Sequence, residues 1–272
     1  MDRERDRAQS GTGTGAPHRG TTPEPDTTWL RRFGPAPADR PVLVCLPHAG
    51  GAASAYLPLS RALAGGLDVL AVQYPGRQDR RREQPFTALT DLADAVARAV
   101  APLTGRPYAV FGHSMGAVVG YETVRRLAAL GLPLPRRLYV SGRGAPTPVP
   151  AVHDRLVTDA QVLAAVAMLG GTGRAVLDDP EMLEMLLPTL RADYRALGSY
   201  GWSGGDPLPV PVTALIGDSD PVVTVAEAAG WRAQTRADFS LQVLPGGHFY
   251  LHEQLPRVAG VITDGLAARV KA

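Results

Sequence analysis

Residues 108–130 read YAVFGHSMGAVVGYETVRRLAAL. An apolar run, Tyr108 to Phe111, leads into a serine flanked by glycines at G-x-S-x-G spacing, and a helical pattern, Ala117 to Leu130, leads out. The five-residue pattern alone is weak. A strand before it and a helix after it make it specific, because a nucleophilic serine on a sharp, strained strand-to-helix turn has its Oγ exposed above a sheet. Gly112 and Gly116 leave room where side chains would collide with the neighbouring strand and helix. The helix N-terminus adds backbone N–H groups and a positive dipole end beside the serine. The plainer reading is a βα turn with a serine N-cap; the flanking elements favour Ser114 as a nucleophile.

The same rhythm extends in both directions. VLVCL (42–46), VLAVQY (69–74), LYVSG (138–142), VTALIG (212–217) and LQVL (241–244) are β-type apolar runs, and Trp29 to Phe33 suits an edge strand. Helical patterns fall between them at about Ser54–Ala64, Phe86–Leu103 and Thr224–Thr235, with a last one near Leu255–Val270. In the second of these, Leu89, Leu92, Ala93, Val96 and Val100 share one face. Strands alternating with helices predict an α/β fold: a mostly parallel central sheet with helices on both faces. The rhythm breaks once, at about 150–200, where VTDAQVLAAVAML, DDPEMLEMLLPTL and RADYRALGSY read as two or three amphipathic helices without a strand. An all-helical insertion of this kind is a candidate lid. Residues 1–27 are rich in Gly, Thr, Pro and charge and are expected to form a disordered leader to a single domain over 28–272. The leader's GTGTGA lacks the strand and helix that a dinucleotide loop needs.

Composition narrows the class. The chain has 272 residues, ample for one large domain. Its 28 basic and 26 acidic residues leave a net charge of +2, too balanced for a nucleic-acid binder. Lys271 is the only lysine, so the arginine richness reads as a genome-wide codon bias. Cys45 is the only cysteine, which rules out an intrachain disulfide, and its setting in LVCL marks it as core. The N-terminus lacks the apolar stretch of a secretory signal, and no run of 18 apolar residues occurs, so a cytoplasmic protein is expected. Neither H-E-x-x-H nor clustered Cys/His spacing is present, so no metal or cofactor is expected.

A serine nucleophile needs a base, and after a G-x-S-x-G elbow the chain order is Ser, then Asp or Glu, then His. His18 lies in the leader, His48 and His113 precede Ser114, and His153 precedes any candidate acid. Of the remaining two, His248 follows a strand and the flexible LPGG, at the carboxyl end where open α/β sheets bind ligands; His252 reads as a surface residue. The acid should end the preceding strand, which offers Asp218 and Asp220, each also suited to a turn. Asp220 reaches further beyond the sheet and is preferred, to hold the imidazole tautomer and stabilise the imidazolium. One oxyanion donor is the N–H of Met115, after the serine. The second is expected from the glycine-rich loop LPHAGGAASAY, with Ala49 the candidate.

LVCLPHAGGAASAY, AVQYPGRQDRRREQPF, FGHSMGA, YVSGRGAP, ALIGDSDPVV and LPGGHFYL, in that order, resemble the type II (editing) thioesterases that accompany modular polyketide synthases and nonribosomal peptide synthetases. QYPGRQDR and GGHFYL are more specific than the elbow, and the resemblance runs from about Trp29 to the last helix. It implies an α/β-hydrolase fold and hydrolysis of misprimed or stalled acyl groups from the phosphopantetheine arm of acyl or peptidyl carrier proteins. By position the family's triad falls on Ser114, Asp220 and His248, and its oxyanion donors on Ala49 and Met115. Under this reading Arg77, Arg80, Arg81 and Arg82 are candidates to meet the phosphate or an acidic carrier, against a plain solvated loop. Met168, Met182 and Met185 read mainly as lid packing that would also suit an apolar acyl channel, and Tyr194 and Tyr200 as lining of the path. A monomer without nucleic-acid or membrane partners is expected. Two other readings stay open: a carboxylesterase or lipase acting on oxygen esters, and a non-catalytic carrier-protein-binding module.

Overall fold

The computed structural model describes residues 26–170 and 179–267. All but the last two residues of the expected leader, part of the expected lid and the final five residues lie outside the described residues. The strands are β1 (Leu30–Arg32), β2 (Val42–Leu46), β3 (Asp68–Val72), β4 (Tyr108–His113), β5 (Leu138–Ser141), β6 (Val212–Gly217) and β7 (Phe239–Leu244). They form one sheet in the order β1-β3-β2-β4-β5-β6-β7. Every pairing is parallel except β1 with β3, which is antiparallel at the edge. This mixed, mostly parallel sheet with covering helices is the α/β arrangement that the alternating pattern predicts, and it agrees with the α/β-hydrolase fold that the resemblance implies.

The apolar runs have no polar alternation because both faces are covered. Val42, Val44 and Leu46 of β2 face one core, with Val110, Val140 and Ala214 of neighbouring strands. Leu43 and Cys45 face the other, with Ala109, Phe111 and Leu215. Helices α1 (Leu57–Leu63), α2 (Leu89–Val100) and α3 (Met115–Ala129) follow β2, β3 and β4. The buried face of α2 carries Leu89, Leu92, Ala93, Val96 and Val100 and packs with α3 over the first core. Leu59 and Leu63 of α1 cover the second core together with Val258, Ile262 and Leu266 of the last helix. Cys45 is fully buried, and burial pushes its thiol far above the usual range, as suits an inert core residue.

The insertion contains α4 (Asp159–Leu169) and α5 (Pro180–Ser199), and α6 (Leu255–Ala267) closes the fold. A reciprocal capping box, Thr158 with Gln161, starts α4, and Gly170 at φ 76° ends it. Asp179 caps α5 by accepting from Glu181 N and Met182 N. The segments DDPEMLEMLLPTL and RADYRALGSY are one helix, not two: Pro188 sits inside α5 without ending it. Tertiary packing overrides the local break, since Leu190, Tyr194 and Leu197 beyond the proline belong to the main core with Val162 and Val166 of α4.

A single residue separates β4 from α3. Ser114 takes φ 55° and ψ −117°, a conformation L-residues rarely adopt, and it forces two backbone approaches. A Cβ on Gly112 would lie 2.1 Å from the carbonyl oxygen of Gly116, and one on Gly116 would lie 2.0 Å from that of Leu46. Both clashes are with backbone and have no side chain to give way. A Cβ on Gly120, one turn later, would meet side chains alone: Val110 at 3.2 Å, Leu46 at 3.5 Å and Leu138 at 3.7 Å. Gly116→Ala is therefore expected to lose at least about 3 kcal/mol of stability or fail to fold, whereas Gly120→Ala stays within about 1 kcal/mol of the parent, its helix propensity offsetting the contact. Urea denaturation of the two variants measures the difference.

Candidate active site

The elements place the sequence-predicted residues at the carboxyl end of the sheet. Ser114 is partly exposed, and its N–H donates to the Ser141 carbonyl oxygen at 2.8 Å, tying the elbow to β5. His248 follows β7 through Pro245, Gly246 and Gly247. Gly246, at φ 125°, brings that loop so close to Gly217 at the end of β6 that a Cβ there would lie 2.3 Å from the Gly246 carbonyl oxygen. The two strand ends are thereby drawn together, and the Nδ1 of His248 lies 2.7 Å from Oδ2 of Asp220. Both side chains are buried. The other Asp220 oxygen accepts from Val222 N at 3.0 Å and Val223 N at 3.1 Å, so the carboxylate is held at both ends.

Asp218 serves the turn. Its exposed carboxylate accepts from Ser219 Oγ at 2.7 Å and Gly246 N at 3.0 Å, bonds that hold its pKa below the usual value. His252 is exposed, its ring stacked on Phe249 at 6.0 Å. The free ring nitrogen of His248, Nε2, is buried and has no hydrogen-bond partner. Ser114, Ala49 and His248 line one cavity of about 20 Å³, closed by Val166 and Leu169 of α4 and Tyr194 of α5. Met115 is the first residue of α3, next to the serine. A serine at the mouth of a helix, with an imidazole held in one orientation by a carboxylate, has the parts for proton transfer from the hydroxyl. No group of three or more His, Cys, Asp or Glu side chains fit to hold a metal occurs among the described residues. No helix among them is long and apolar enough to cross a membrane.

The arginines proposed for carrier binding divide. Arg77 and Arg80 are buried rather than presented to a partner. Arg77 pairs with Asp193 of α5 and donates to the carbonyl oxygens of Pro75 (2.7 Å) and Gly51 (3.3 Å). Arg80 donates to Gln73 O at 2.8 Å, pairs with Glu83 at 2.5 Å and lies over the Trp29 ring at 4.4 Å. Their charges are met by partners within the chain, and Arg77 also lines the groove beside α5. Arg81 and Arg82 are exposed and line a groove of about 480 Å³ with Met182, Met185 and Leu186 of α5. The lid methionines are corrected: Met168, Met182 and Met185 are exposed, because the inward face of each lid helix is taken by other residues. Tyr194 lines the cavity as expected, but Tyr200 does not; its hydroxyl donates to Glu122 at 2.7 Å.

Sequence reasoning set aside three histidines that border the site: His153, which lines a second small cavity with Ser114 and His248, and the pair His113 and His48. His113 Nδ1 lies 2.9 Å from Ser141 Oγ, which in turn lies 2.6 Å from the Tyr250 hydroxyl. The His113 ring is 5.1 Å from that of His248. His48 lines the cavity and packs edge-on against Phe249 at 4.8 Å. Their sequence signal was only proximity to motifs, with nothing to show that the two loops meet.

Comparison with known proteins follows the same geometry. Residues 41–266 match the thioesterase domain family. The chain is 44% identical over 238 residues to a probable cadicidin biosynthesis thioesterase of Streptomyces griseus, covering 88% of this chain and 66% of that protein, which is just under two thirds of its length. It is 45% identical over 243 residues to the thioesterase PikA5 of Streptomyces venezuelae, covering 88% of this chain and 85% of that one. Among solved structures, the type II thioesterase BorB from the borrelidin biosynthetic cluster superposes with a TM-score of 0.81 at 42% identity, over 88% of this chain and 98% of its own. RedJ, a thioesterase of the prodiginine pathway in Streptomyces coelicolor, gives 0.77 at 36% identity, over 88% and 93%.

Burial holds the two neighbouring histidines neutral. It lowers His113 well below the ordinary value, aided by the charges of His248, His48 and His252, and it lowers His48 to about 3, aided by His248, His252 and Arg77. Below about pH 6.5 the unfolded chain protonates these rings while the folded protein does not. Stability is therefore full above that pH and falls as pH drops through it, by up to about 1.4 kcal/mol per pH unit for each such ring. Urea midpoints from pH 7.5 to 4.5 should show the loss, with a shallower slope in His113→Asn.

Proposed function

The chain belongs to the thioesterase domain family of the α/β-hydrolases and is a thioester hydrolase of the polyketide and nonribosomal-peptide type, and from that premise we propose that it releases acyl groups from the phosphopantetheine arm of acyl or peptidyl carrier proteins, with Ser114, His248 and Asp220 as its triad. The observation that carries the reading is the Asp220–His248 hydrogen bond of 2.7 Å, whose other ring nitrogen is unpartnered in the cavity that Ser114 lines.

In this mechanism His248 Nε2 takes the proton as Ser114 Oγ attacks the thioester carbonyl. Asp220 accepts from Nδ1 and stabilises the imidazolium. The N–H groups of Met115 and Ala49 receive the oxyanion, each worth about 3 kcal/mol in the transition state. Collapse breaks the C–S bond, the thiolate takes the proton from His248, and Ser114 is left acylated. Water, deprotonated by His248, then attacks the ester carbonyl; a second collapse frees the acid and returns the proton to Ser114 Oγ. A thiol with an ordinary pKa of about 8.5 leaves with little acid help, so the triad is asked for less than in amide cleavage. The small cavity under α4 and α5 makes lid movement the step that admits a tethered acyl arm. In this reading the exposed Arg81 and Arg82, at the groove beside α5 that Arg77 also lines, meet an acidic carrier.

The test is steady-state hydrolysis of one short acyl group offered on a phosphopantetheinylated carrier protein, on a small pantetheine thiol and as the matched oxygen ester. The carrier-bound thioester is expected to give the highest kcat/KM, with a loss of about 10⁴-fold or more in Ser114→Ala. Arg81→Glu/Arg82→Glu should raise KM for the carrier substrate about tenfold and leave the small thioester unchanged. A preference for the oxygen ester would replace this reading with a general esterase. Activity that survives loss of Ser114 would remove the triad.

A further inference from the structure

The glycine-rich loop that carries Ala49 is fastened to the lid by one buried carboxylate. Gly50 takes φ 72° and donates its N–H to Oδ2 of Asp193, on α5, at 2.7 Å. The same oxygen is paired with the Arg77 guanidinium, and Arg77 reaches back to the Gly51 carbonyl oxygen. Asp193 is 2% exposed and Arg77 5%. Two further side chains on this face of α5 support the contact. Leu190 lies so close to Gly50 that a Cβ there would meet it at 2.6 Å, and Thr189 Oγ1 donates to the Gly76 carbonyl oxygen at 2.8 Å. At its far end the loop is anchored independently of the lid, by Ala53 N donating to Gln73 Oε1 at 2.8 Å. The contact with α5 is thus the element that fixes the loop at Gly50, one residue from the candidate oxyanion donor.

We propose that Asp193 is a positioning residue that holds the oxyanion loop through Gly50, so that the loop has its working geometry only while α5 is seated. The inference rests on the proposed thioester hydrolysis. Any opening of α5 separates Asp193 from both Gly50 and Arg77, leaving the Gly50 N–H without its acceptor. Misplacing a transition-state donor by about 1 Å costs on the order of 10²-fold in rate. Ground-state binding does not use that donor, so the loss falls on kcat rather than KM. The ion pair itself is a weak explanation for the arrangement, because a buried pair replaced by apolar groups of similar volume is often no less stable.

The experiment compares double variants that treat the charges alike but differ at the Gly50 acceptor. Asp193→Leu/Arg77→Met removes both charges and the acceptor. Asp193→Asn/Arg77→Gln removes both charges and keeps an amide oxygen for Gly50. Amide hydrogen exchange of residues 48–53 is read beside kcat and KM on a small acyl-pantetheine thioester. In the Leu/Met variant exchange should rise at least tenfold and kcat fall about 10- to 100-fold, with KM within threefold. In the Asn/Gln variant both should return to within about fivefold of the parent. If the Leu/Met variant does not fold, Asp193→Ala/Arg77→Gln replaces it in the same comparison. Unchanged exchange on loss of the acceptor overturns the proposal, and so does faster exchange with unchanged kcat. An inactive parent enzyme would instead defeat the thioesterase reading, while exchange still reports whether Asp193 holds the loop.

Discussion

The structure turns on the backbone of one residue. Ser114 must pass from a fully buried strand to a helix buried from Met115 through Val124 without a loop between them, and it does so at φ 55°. That conformation persists because everything around it is over-determined. The Ser114 N–H is pinned to β5, Gly112 and Gly116 let backbone meet backbone at distances no side chain would permit, and α3 is locked into the core by Ala117, Val118, Tyr121 and Val124. The strain is local; its support is spread over β2, β4, β5 and α3. The backbone that presents this side chain is set before any substrate arrives, which is the form of preorganisation that the proposed proton transfer and oxyanion stabilisation need.

The sheet was legible because its strands are buried on both faces. Runs such as VLVCL have no competing helical reading, and their order with the intervening helices leaves few topologies. Asp220 and His248 were legible for a related reason: each ends a parallel strand or its following loop, and parallel strands bring their carboxyl ends to one side. The pairing between them closes through glycines, whose role is visible in the sequence only as composition. The inward turn of Arg77 and Arg80 was not legible, because a run of charges says nothing about which member is buried. Their partners, Asp193 and the Gln73 carbonyl, are set by how the insertion lies on the sheet. The continuity of α5 through Pro188 was hidden likewise, since the packing that outweighs the proline is supplied by residues far off in the chain.

Several charges of this chain are paired inside the fold. Arg77 with Asp193, Arg143 with Asp154, and Arg32 and Arg106 with Asp68 each place at least one largely desolvated group in contact with its counter-ion. Such pairs add little net stability, but breaking one by losing a single partner is severe. Two of the three join the insertion or its approach to the sheet body, Asp193 from α5 and Asp154 from the turn before α4. Their geometry defines where the insertion sits more sharply than its apolar contacts do, because hydrophobic contact tolerates sliding and a desolvated guanidinium–carboxylate pair does not.

The order of the chain has a consequence in time. The elbow and its glycines are complete once β5 pairs with β4, but Asp220 and His248 arrive only with β6 and β7, after the whole helical insertion has been made. During synthesis a ribosome-bound chain therefore exposes the strained serine and the edge of β5 while the imidazole is still unborn. Pairing of β6 closes that edge, and β7, pairing on β6, brings the proposed base His248. On the proposed triad, the growing chain therefore lacks its base until the last strand and the loop after it have been made.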